Sequence, residues 1–167
     1  MSFHDAVVPA YLQMLNSLIG LLTKAEAHCA AKKVDPSVLL GSRLFPDMLP
    51  LSKQIQLVSD FAAKGCARLT HMEVPSTPDT ETSFAELKQR LAKTIDYVKS
   101  FKPEQFEGAE ARDVTFPSGP NKTTTMKGQQ FFSAFSLPNF YFHATIAHAI
   151  LRHNGVEIGK RDFLGAN

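Results

Sequence analysis

The sequence predicts a mainly α-helical fold, a four-helix bundle with a small β-hairpin inserted between the third and fourth helices. Three observations predict it. Four long segments repeat apolar residues every three or four positions, prolines and capping residues separate these segments, and only residues 114–126 are rich in β-formers. With 167 residues, of which 44% are hydrophobic and 20% charged, the chain is expected to form a single domain over residues 1–167.

The charge balance and the cysteines limit the classes of partner. Eighteen basic and 16 acidic residues leave a formal net charge of +2, which gives no electrostatic case for a nucleic acid or an anionic membrane. The N-terminus has no basic region before an apolar block, and polar residues interrupt every apolar stretch, so neither a secretory signal nor a membrane-spanning helix is expected. Cys29 and Cys66 are predicted to be buried apolar residues in a reducing compartment, which favours a cytoplasmic location.

The first helix is predicted from Ser2 to Lys33, with Ser2 and Asp5 as a capping box. Pro9 marks either a kink in this helix or its true start. Its apolar face consists of Val8, Leu12, Leu15, Ile19 and Leu22.

The second helix is predicted to begin at Pro46 and to end at Leu69, because proline is favoured at the first helical position. Asp47 would then lie in the first turn, where a carboxylate complements the helix dipole. Gly65 would allow close packing against a neighbouring helix. A proline-containing loop is expected over residues 73–80.

Clear boundary signals bracket the third helix, the hairpin and the fourth helix. Ser83 and Glu86 form a capping box for the third helix, and Pro103 ends it. The hairpin comprises residues 114–116 and 123–126 around a turn, and it is expected to pack on the bundle because a lone hairpin is marginally stable. The fourth helix is predicted to begin at Pro138 and to end at Gly155 in a left-handed cap.

Three of the six histidines lie on the fourth helix, at five-residue spacing. Each step rotates the side chain by about 140°, so His143, His148 and His153 cannot hold one metal ion within a regular helix. His143 is placed at the edge of the buried face, His148 at the opposite edge and His153 away from the core. His143 is therefore the one candidate for a polar site that faces the core. An ordinary hydrogen-bonded histidine is the alternative.

Several other polar residues are candidates near the ends of the second and fourth helices. Asp47 is a catalytic candidate with His143, and Asp60 lies almost opposite Asp47 on the helical wheel, so the two cannot form a carboxylate pair. Arg43 would first of all form a salt bridge with Asp47. The binding candidates are Arg43, Gln54, Arg152, His153 and Asn154, although the preference for basic side chains at a helix C-terminus also accounts for Arg152 and His153.

The stretches 7–28, 43–69 and 137–165 together resemble one family that covers nearly the whole chain. The tail LPNFYFHATIAHAILRHNGVEIGKRDFLG carries the most specific motif. The sequence resembles an uncharacterised family within the DinB/YfiT-like superfamily of four-helix bundles. This resemblance implies an up-down-down-up order of the helices and a homodimer.

The resemblance also bears on metal chemistry. Many members of the superfamily bind a divalent metal through three histidines, one on the second helix and two that lie four residues apart on the last. Some members are thiol-dependent S-transferases or isomerases. Here His143 matches the first position of the pair, but Ala147 occupies the second, and the second helix has no histidine. The three-histidine ligand set is therefore absent, and a divalent metal is implied by the resemblance alone.

Two functions follow from these patterns, and they leave open whether the protein is an enzyme. The first is a small-molecule-binding or transferase-like protein with a pocket between the second and fourth helices, served by His143, Asp47, Arg43 and Gln54. The alternative is a non-enzymatic, dimeric structural, interaction or stress-related protein. The phenylalanines clustered at 131–142 favour ordinary core packing, a pocket wall or a dimer interface.

Overall fold

The computed structural model describes residues 2–166. Within them, the long helices are α1 (Phe3–Lys32), α3 (Leu51–Leu69), α4 (Phe84–Ser100) and α6 (Leu137–His153). The short helices are α2 (Pro36–Leu40), α5 (Gly128–Gln130) and α7 (Lys160–Leu164). Strands β1 (Asp113–Gly119) and β2 (Lys122–Lys127) pair antiparallel. A 3₁₀ turn covers Pro103–Phe106, and a π-helical segment covers Phe131–Ser136.

Contacts between the long helices define an up-down-down-up bundle. Lys88 on α4 pairs with Glu26 near the end of α1 at 2.7 Å, so these two helices are antiparallel. Helices α3 and α4 are parallel, since Gln56 near the start of α3 donates to Glu81, just before α4. The order predicted from the resemblance is thus confirmed, as is the hairpin between the third and fourth long helices.

The remaining pairings agree with this order. Tyr11 on α1 packs edge-on against Phe140 on α6 at 4.9 Å, and His28 lies near Gly155, so α1 and α6 run parallel. Helices α3 and α6 are antiparallel, because Gln54 near the start of α3 bonds His143, whereas Phe61 further along α3 packs against Phe135.

The predicted helix caps are confirmed. Ser2 and Asp5 form the capping box of α1, and Ser83 and Glu86 form that of α4. Helix α1 begins at Phe3, so Pro9 lies inside it and is not its start. Gly155 has a φ of +85°, the left-handed conformation expected after the last turn of α6.

The predicted start of the second long helix at Pro46 is wrong. Helix α3 begins at Leu51 with Pro50 as its N-cap. The physical reason is Pro50 itself, which disfavours helical backbone at the preceding residue and has no N–H to donate. Asp47 consequently lies in an exposed turn before α3 and not in its first turn.

The fourth helix is predicted to begin at Pro138, but its helical backbone begins earlier in the chain. Regular α-helix begins at Leu137, but helical backbone extends back through the π-helical segment to Gly128. A π turn pairs each N–H with the carbonyl five residues before it, and such segments are usually short insertions into an α-helix. Pro138 therefore lies inside a continuous helical run and does not mark its beginning.

The hairpin packs on this π-helical segment, as the marginal stability of an isolated hairpin requires. Val114 and Phe116 are buried, whereas Thr115 between them points outward and bonds Thr125 at 2.7 Å. The ring of Phe116 lies 5.0 Å from that of Phe131 and 4.3 Å from that of Phe135. The hairpin thus closes the side of the bundle formed by the π-helical segment.

Helix α1 is long and apolar enough to cross a membrane by length and composition alone, but 50% of its apolar window is buried inside the bundle. Leu15, Leu18 and Leu22 have no exposed surface. An apolar helix whose side chains are packed in this way is typical of the core of a soluble helical protein.

Candidate functional site

His143 and Gln54 form a polar pair where α6 crosses the beginning of α3. The Nδ1 atom of His143 lies 2.8 Å from Oε1 of Gln54. Gln54 is 2% exposed, whereas His143 is half-buried. Two of the residues predicted to share a site are therefore in contact.

The contacts of Gln54 determine which nitrogen of His143 carries the proton. The Nε2 amide of Gln54 donates to the carbonyl of Leu49 at 3.1 Å, an oxygen that can only accept. The oxygen of the same amide therefore faces His143 and accepts a proton from Nδ1. In the neutral ring this leaves Nε2 with a free lone pair.

The free nitrogen of His143 is not fully buried. Within residues 2–166, the fully buried side-chain nitrogens without a hydrogen-bond partner belong to Arg90 and His148. Because Nε2 of His143 is not one of them, it retains accessible surface. An accessible, unprotonated imidazole nitrogen accepts a proton, binds a metal ion or attacks an electrophile.

Apolar packing fixes the plane of the imidazole ring. Phe61 of α3 stacks on His143 with ring centroids 5.7 Å apart and an interplanar angle of 19°. Phe142 lies edge-on to the same ring at 5.3 Å and is itself 56% exposed. Burial against these groups penalises the charged imidazolium and lowers the pKa of His143 below 6.5, so the neutral ring predominates at pH 7.

A close helix crossing holds Phe61 in place. Ser136, in the π-helical segment, exchanges a 2.7 Å hydrogen bond with Tyr11 and lies 3.4 Å from the carbonyl of Phe61. Gly65 faces this pair, and a Cβ atom there would come within 2.6 Å of the Tyr11 hydroxyl. Close approach at Gly65, predicted from the sequence, is confirmed.

Arg43 and Asp47 lie in the turn that precedes α3. The guanidinium of Arg43 donates to the carbonyls of Pro46 and Met48 at 3.5 and 3.2 Å. Over residues 2–166 it forms no ion pair with Asp47, so that predicted salt bridge is wrong. Neither side chain hydrogen-bonds the His143–Gln54 pair in this part of the chain.

The remaining binding candidates, Arg152, His153 and Asn154, lie at the C-terminal end of α6. Nine to eleven residues separate them from His143, which corresponds to about 15 Å along the helix axis. All three are exposed, and the Asn154 amide caps the helix by donating to the carbonyl of Ile150 at 2.8 Å. They do not share a small-molecule site with His143.

The side chains of residues 2–166 do not form a metal centre. Across residues 2–166 no group of three histidines, cysteines or acidic residues is placed to hold an ion. The Nδ1 atom of His143 is occupied by a neutral amide, which leaves one ligand atom on this residue. Burial raises the pKa of the Cys66 thiol, so a soft thiolate ligand is also disfavoured there. The residues that the structure describes therefore do not fit the divalent metal that the resemblance implies.

Comparison with protein families gives a match to a domain of unknown function, DUF1993, over residues 3–164. The chain belongs to the DUF1993 family. It is also similar to a solved structure, a DinB family member protein from Shewanella denitrificans, with 42% sequence identity and a TM-score of 0.91. That similarity covers 98% of this chain and 92% of the other. No curated protein matches the chain.

These findings confirm the predicted family and the DinB-like helical fold of this DUF1993 protein. They also agree with a soluble protein, since the similar structure is a DinB family member and half of the apolar window of α1 in this chain is buried inside the bundle.

The sequence reasoning missed a cluster of charges on the opposite side of α3. Arg90 of α4 is 4% exposed and donates to Asp60 at 2.7 Å and to Glu81 at 3.0 Å. It also contacts Asp79 and the carbonyl of Pro78 at 3.0 and 3.1 Å. This Arg90 cluster, formed by Arg90, Asp60, Asp79 and Glu81, fastens residues 78–81 to α3 and α4.

A sequence signal for the Arg90 cluster did exist. Arg90 lies among buried apolar positions of α4, three residues after Leu87 and one before Leu91. A charged residue within an apolar face requires a partner, because an unpaired buried charge costs several kcal/mol, of the order of 3–5. Two of its partners, Asp79 and Glu81, lie in the loop before α4. Apolar periodicity does not specify how that loop lies against the helix.

Proposed function

We propose that the protein is a cytoplasmic small-molecule-binding bundle in which His143 exchanges a proton with its ligand. The ligand would lie on the open face of the α3–α6 crossing, where Nε2 of His143 meets solvent. The single observation that carries this proposal is the Leu49–Gln54–His143 chain of hydrogen bonds, which presents an unprotonated Nε2.

The arrangement suits general base catalysis. Gln54 orients the ring and stabilises the proton on Nδ1, as a base requires a third group to hold it in one tautomer. Because the pKa of His143 lies below 6.5, the base is free at neutral pH. Group transfer and isomerisation, which the resemblance implies for some relatives, both need such a proton acceptor.

A fragment screen read by NMR tests this function. We expect soluble fragments that perturb the ring resonances of His143 in the wild-type protein and lose affinity in His143→Asn. His153 provides a matched control, because it is exposed on the same helix, and His153→Asn should leave the affinities unchanged. A screen in which no fragment perturbs His143, or in which His143→Asn binds every hit equally well, would contradict the proposal.

A non-enzymatic, dimeric structural or interaction protein is the second candidate function, because large apolar side chains are exposed on α6 and in the turn before α3. Phe142 follows Tyr141 on α6 and is 56% exposed, and Phe45 and Leu49 in the turn before α3 are 63% and 42% exposed. Exposed aromatic and aliphatic side chains are typical of an interface with another protein chain.

Light scattering at micromolar concentration tests the dimer. We expect a dimer for the wild-type protein and a shift towards monomer in Phe45→Ser and Phe142→Ser. The control is Met72→Ser, which also removes an exposed apolar side chain, 51% exposed, but beyond the other end of α3. A wild-type monomer would contradict the dimer. The binding proposal would be unaffected, because the fragment screen tests it separately.

A further inference from the structure

A cavity of about 480 Å³ lies between α3 and α4 beneath the segment of residues 75–81. Its α3 wall consists of Ser59, Asp60, Ala63 and Lys64. These lie on a different face of that helix from Gln54 and Gly65, which contact the α6 side. The volume is that of an ordinary small-molecule site. The cavity is therefore a separate candidate from the His143 site.

The walls of the cavity combine apolar and hydrogen-bonding groups. Pro75, Pro78 and Tyr97 provide apolar surface. Thr77, Thr80 and Gln89 also line it. Over the described residues their side-chain donors and acceptors have no hydrogen-bond partner in the protein, so they are available to a polar ligand.

Most of the charges that line the cavity are already neutralised within the protein. Asp60 binds both Arg90 and Lys64, at 2.7 and 2.6 Å. Glu81 binds Arg90 at 3.0 Å and also accepts from Gln56. These groups form the floor of the cavity and do not favour either sign of charge on a ligand.

Two lining charges remain uncompensated. Lys93 forms no ion pair with any residue of the described chain, and Glu86 contacts no cation there. The backbone and hydroxyl donors of Thr82 and Ser83 all contact Oε2 of Glu86, so its Oε1 is free. Both charges line the same cavity, and their seven-residue separation corresponds to about 10 Å along α4.

We propose that this cavity binds a short zwitterionic peptide, with its ammonium at Glu86 and its carboxylate at Lys93. Three extended residues span about 10 Å, which matches the separation of the two charges. The peptide amides would bond the hydroxyls of Thr77 and Thr80 and the amide of Gln89. A ligand with a single charge would form only one of the two ion pairs.

Isothermal titration calorimetry with triglycine tests the proposal. We expect binding of triglycine, and about fivefold weaker binding of N-acetyltriglycine and of triglycinamide, since each derivative lacks one ion pair with an exposed side chain. Glu86→Gln should bind triglycine and N-acetyltriglycine equally, and Lys93→Gln should bind triglycine and triglycinamide equally.

Two controls show whether a loss of binding reflects damage to the fold or binding at the His143 site. Glutamine also serves in a capping box, so Glu86→Gln should keep α4 intact, which circular dichroism checks. His143→Asn should leave triglycine affinity unchanged. No binding of triglycine to the wild-type protein, or equal affinity for all three peptides, would overturn the proposal.

Discussion

His143 depends on one neighbouring amide, that of Gln54, for its tautomer. A carboxylate in place of that amide would favour the imidazolium, because an opposite charge within about 4 Å stabilises the charged form. We therefore expect Gln54→Glu to raise the pKa of His143 from its present position below 6.5, as measured by NMR titration of the ring protons. Gln54→Leu is the uncharged control and should not raise it. An unchanged titration in Gln54→Glu would show that the two side chains are not in contact.

Gly65 lies where α3 closely approaches Tyr11 of α1 and Ser136 of the π-helical segment. A methyl group there would lie 2.6 Å from the Tyr11 hydroxyl and 2.8 Å from that of Ser136, so a buried hydrogen bond must move. We expect Gly65→Ala to reduce the free energy of unfolding by about 1–3 kcal/mol in urea denaturation.

Gly20 is the matched control, since a Cβ atom there has nothing within 4 Å. Gly20→Ala should stabilise the protein by about 0.5–1 kcal/mol, because alanine loses less backbone entropy in a helix. Equal effects of the two substitutions would contradict the close crossing.

At the scale of elements, Arg90 joins the segment of residues 78–81 to the two parallel helices. Removing its charge would leave Glu81 partly buried without a cation and Asp60 with Lys64 alone. We expect Arg90→Met to reduce the free energy of unfolding by about 3–5 kcal/mol in urea denaturation.

The control for Arg90 is Lys53, whose ion pair with Asp79 is more exposed, at 35% for both side chains. Lys53→Met should cost less than about 1 kcal/mol. A small effect of Arg90→Met would mean that the segment packs without the ion pairs.

The same cluster predicts a response to acid. Burial alone would raise the pKa of Glu81, but hydrogen bonds from Arg90 and Gln56 outweigh it and hold the pKa below 4.5. A lowered pKa means that the unfolded chain takes up the proton first as the pH falls. The contribution of Glu81 to stability is therefore complete above pH 4.5 and disappears as the pH drops through the folded-state pKa.

Substitution of Glu81 tests whether its contribution to stability is lost as the pH falls. Glu81→Gln should lower stability at pH 7 and show a weaker dependence on pH below 4.5 than the wild-type protein, in urea denaturation at several pH values. A dependence as steep as that of the wild-type protein would assign the acid response to other carboxylates.

At the scale of the whole molecule, local signals were enough to predict the bundle and the hairpin. Capping residues such as Ser83 and apolar periodicity act within one helix, so the sequence reveals them directly. Pro46 and Pro138 were misleading because a proline near a helix start does not distinguish the first turn from a preceding turn or from a π-helical segment.

The candidate site was predicted only in part, for a related reason. The wheel angle placed His143 at the edge of the core, but its contacts with Gln54 and Phe61 come from another helix. The Arg90 cluster likewise depends on how a loop lies against α4. Such contacts are set by tertiary packing, which neither periodicity nor spacing specifies.

Metal content is a property of the whole protein that follows from its ligand set. Without three suitable ligands in residues 2–166, we expect no stoichiometric divalent metal in protein purified without a histidine tag. Inductively coupled plasma mass spectrometry measures this directly. About one metal ion per chain would require a ligand set other than the three-histidine arrangement.

The tautomer of His143 tests the central claim most directly. Long-range ¹H–¹⁵N correlation spectra of the imidazole rings at pH 7 distinguish a protonated from an unprotonated ring nitrogen. The hydrogen bonds of Gln54 predict a protonated Nδ1 and a bare Nε2 on His143. A protonated Nε2 with a bare Nδ1 would contradict the account, because the group that faces solvent would then be a hydrogen-bond donor and not a base.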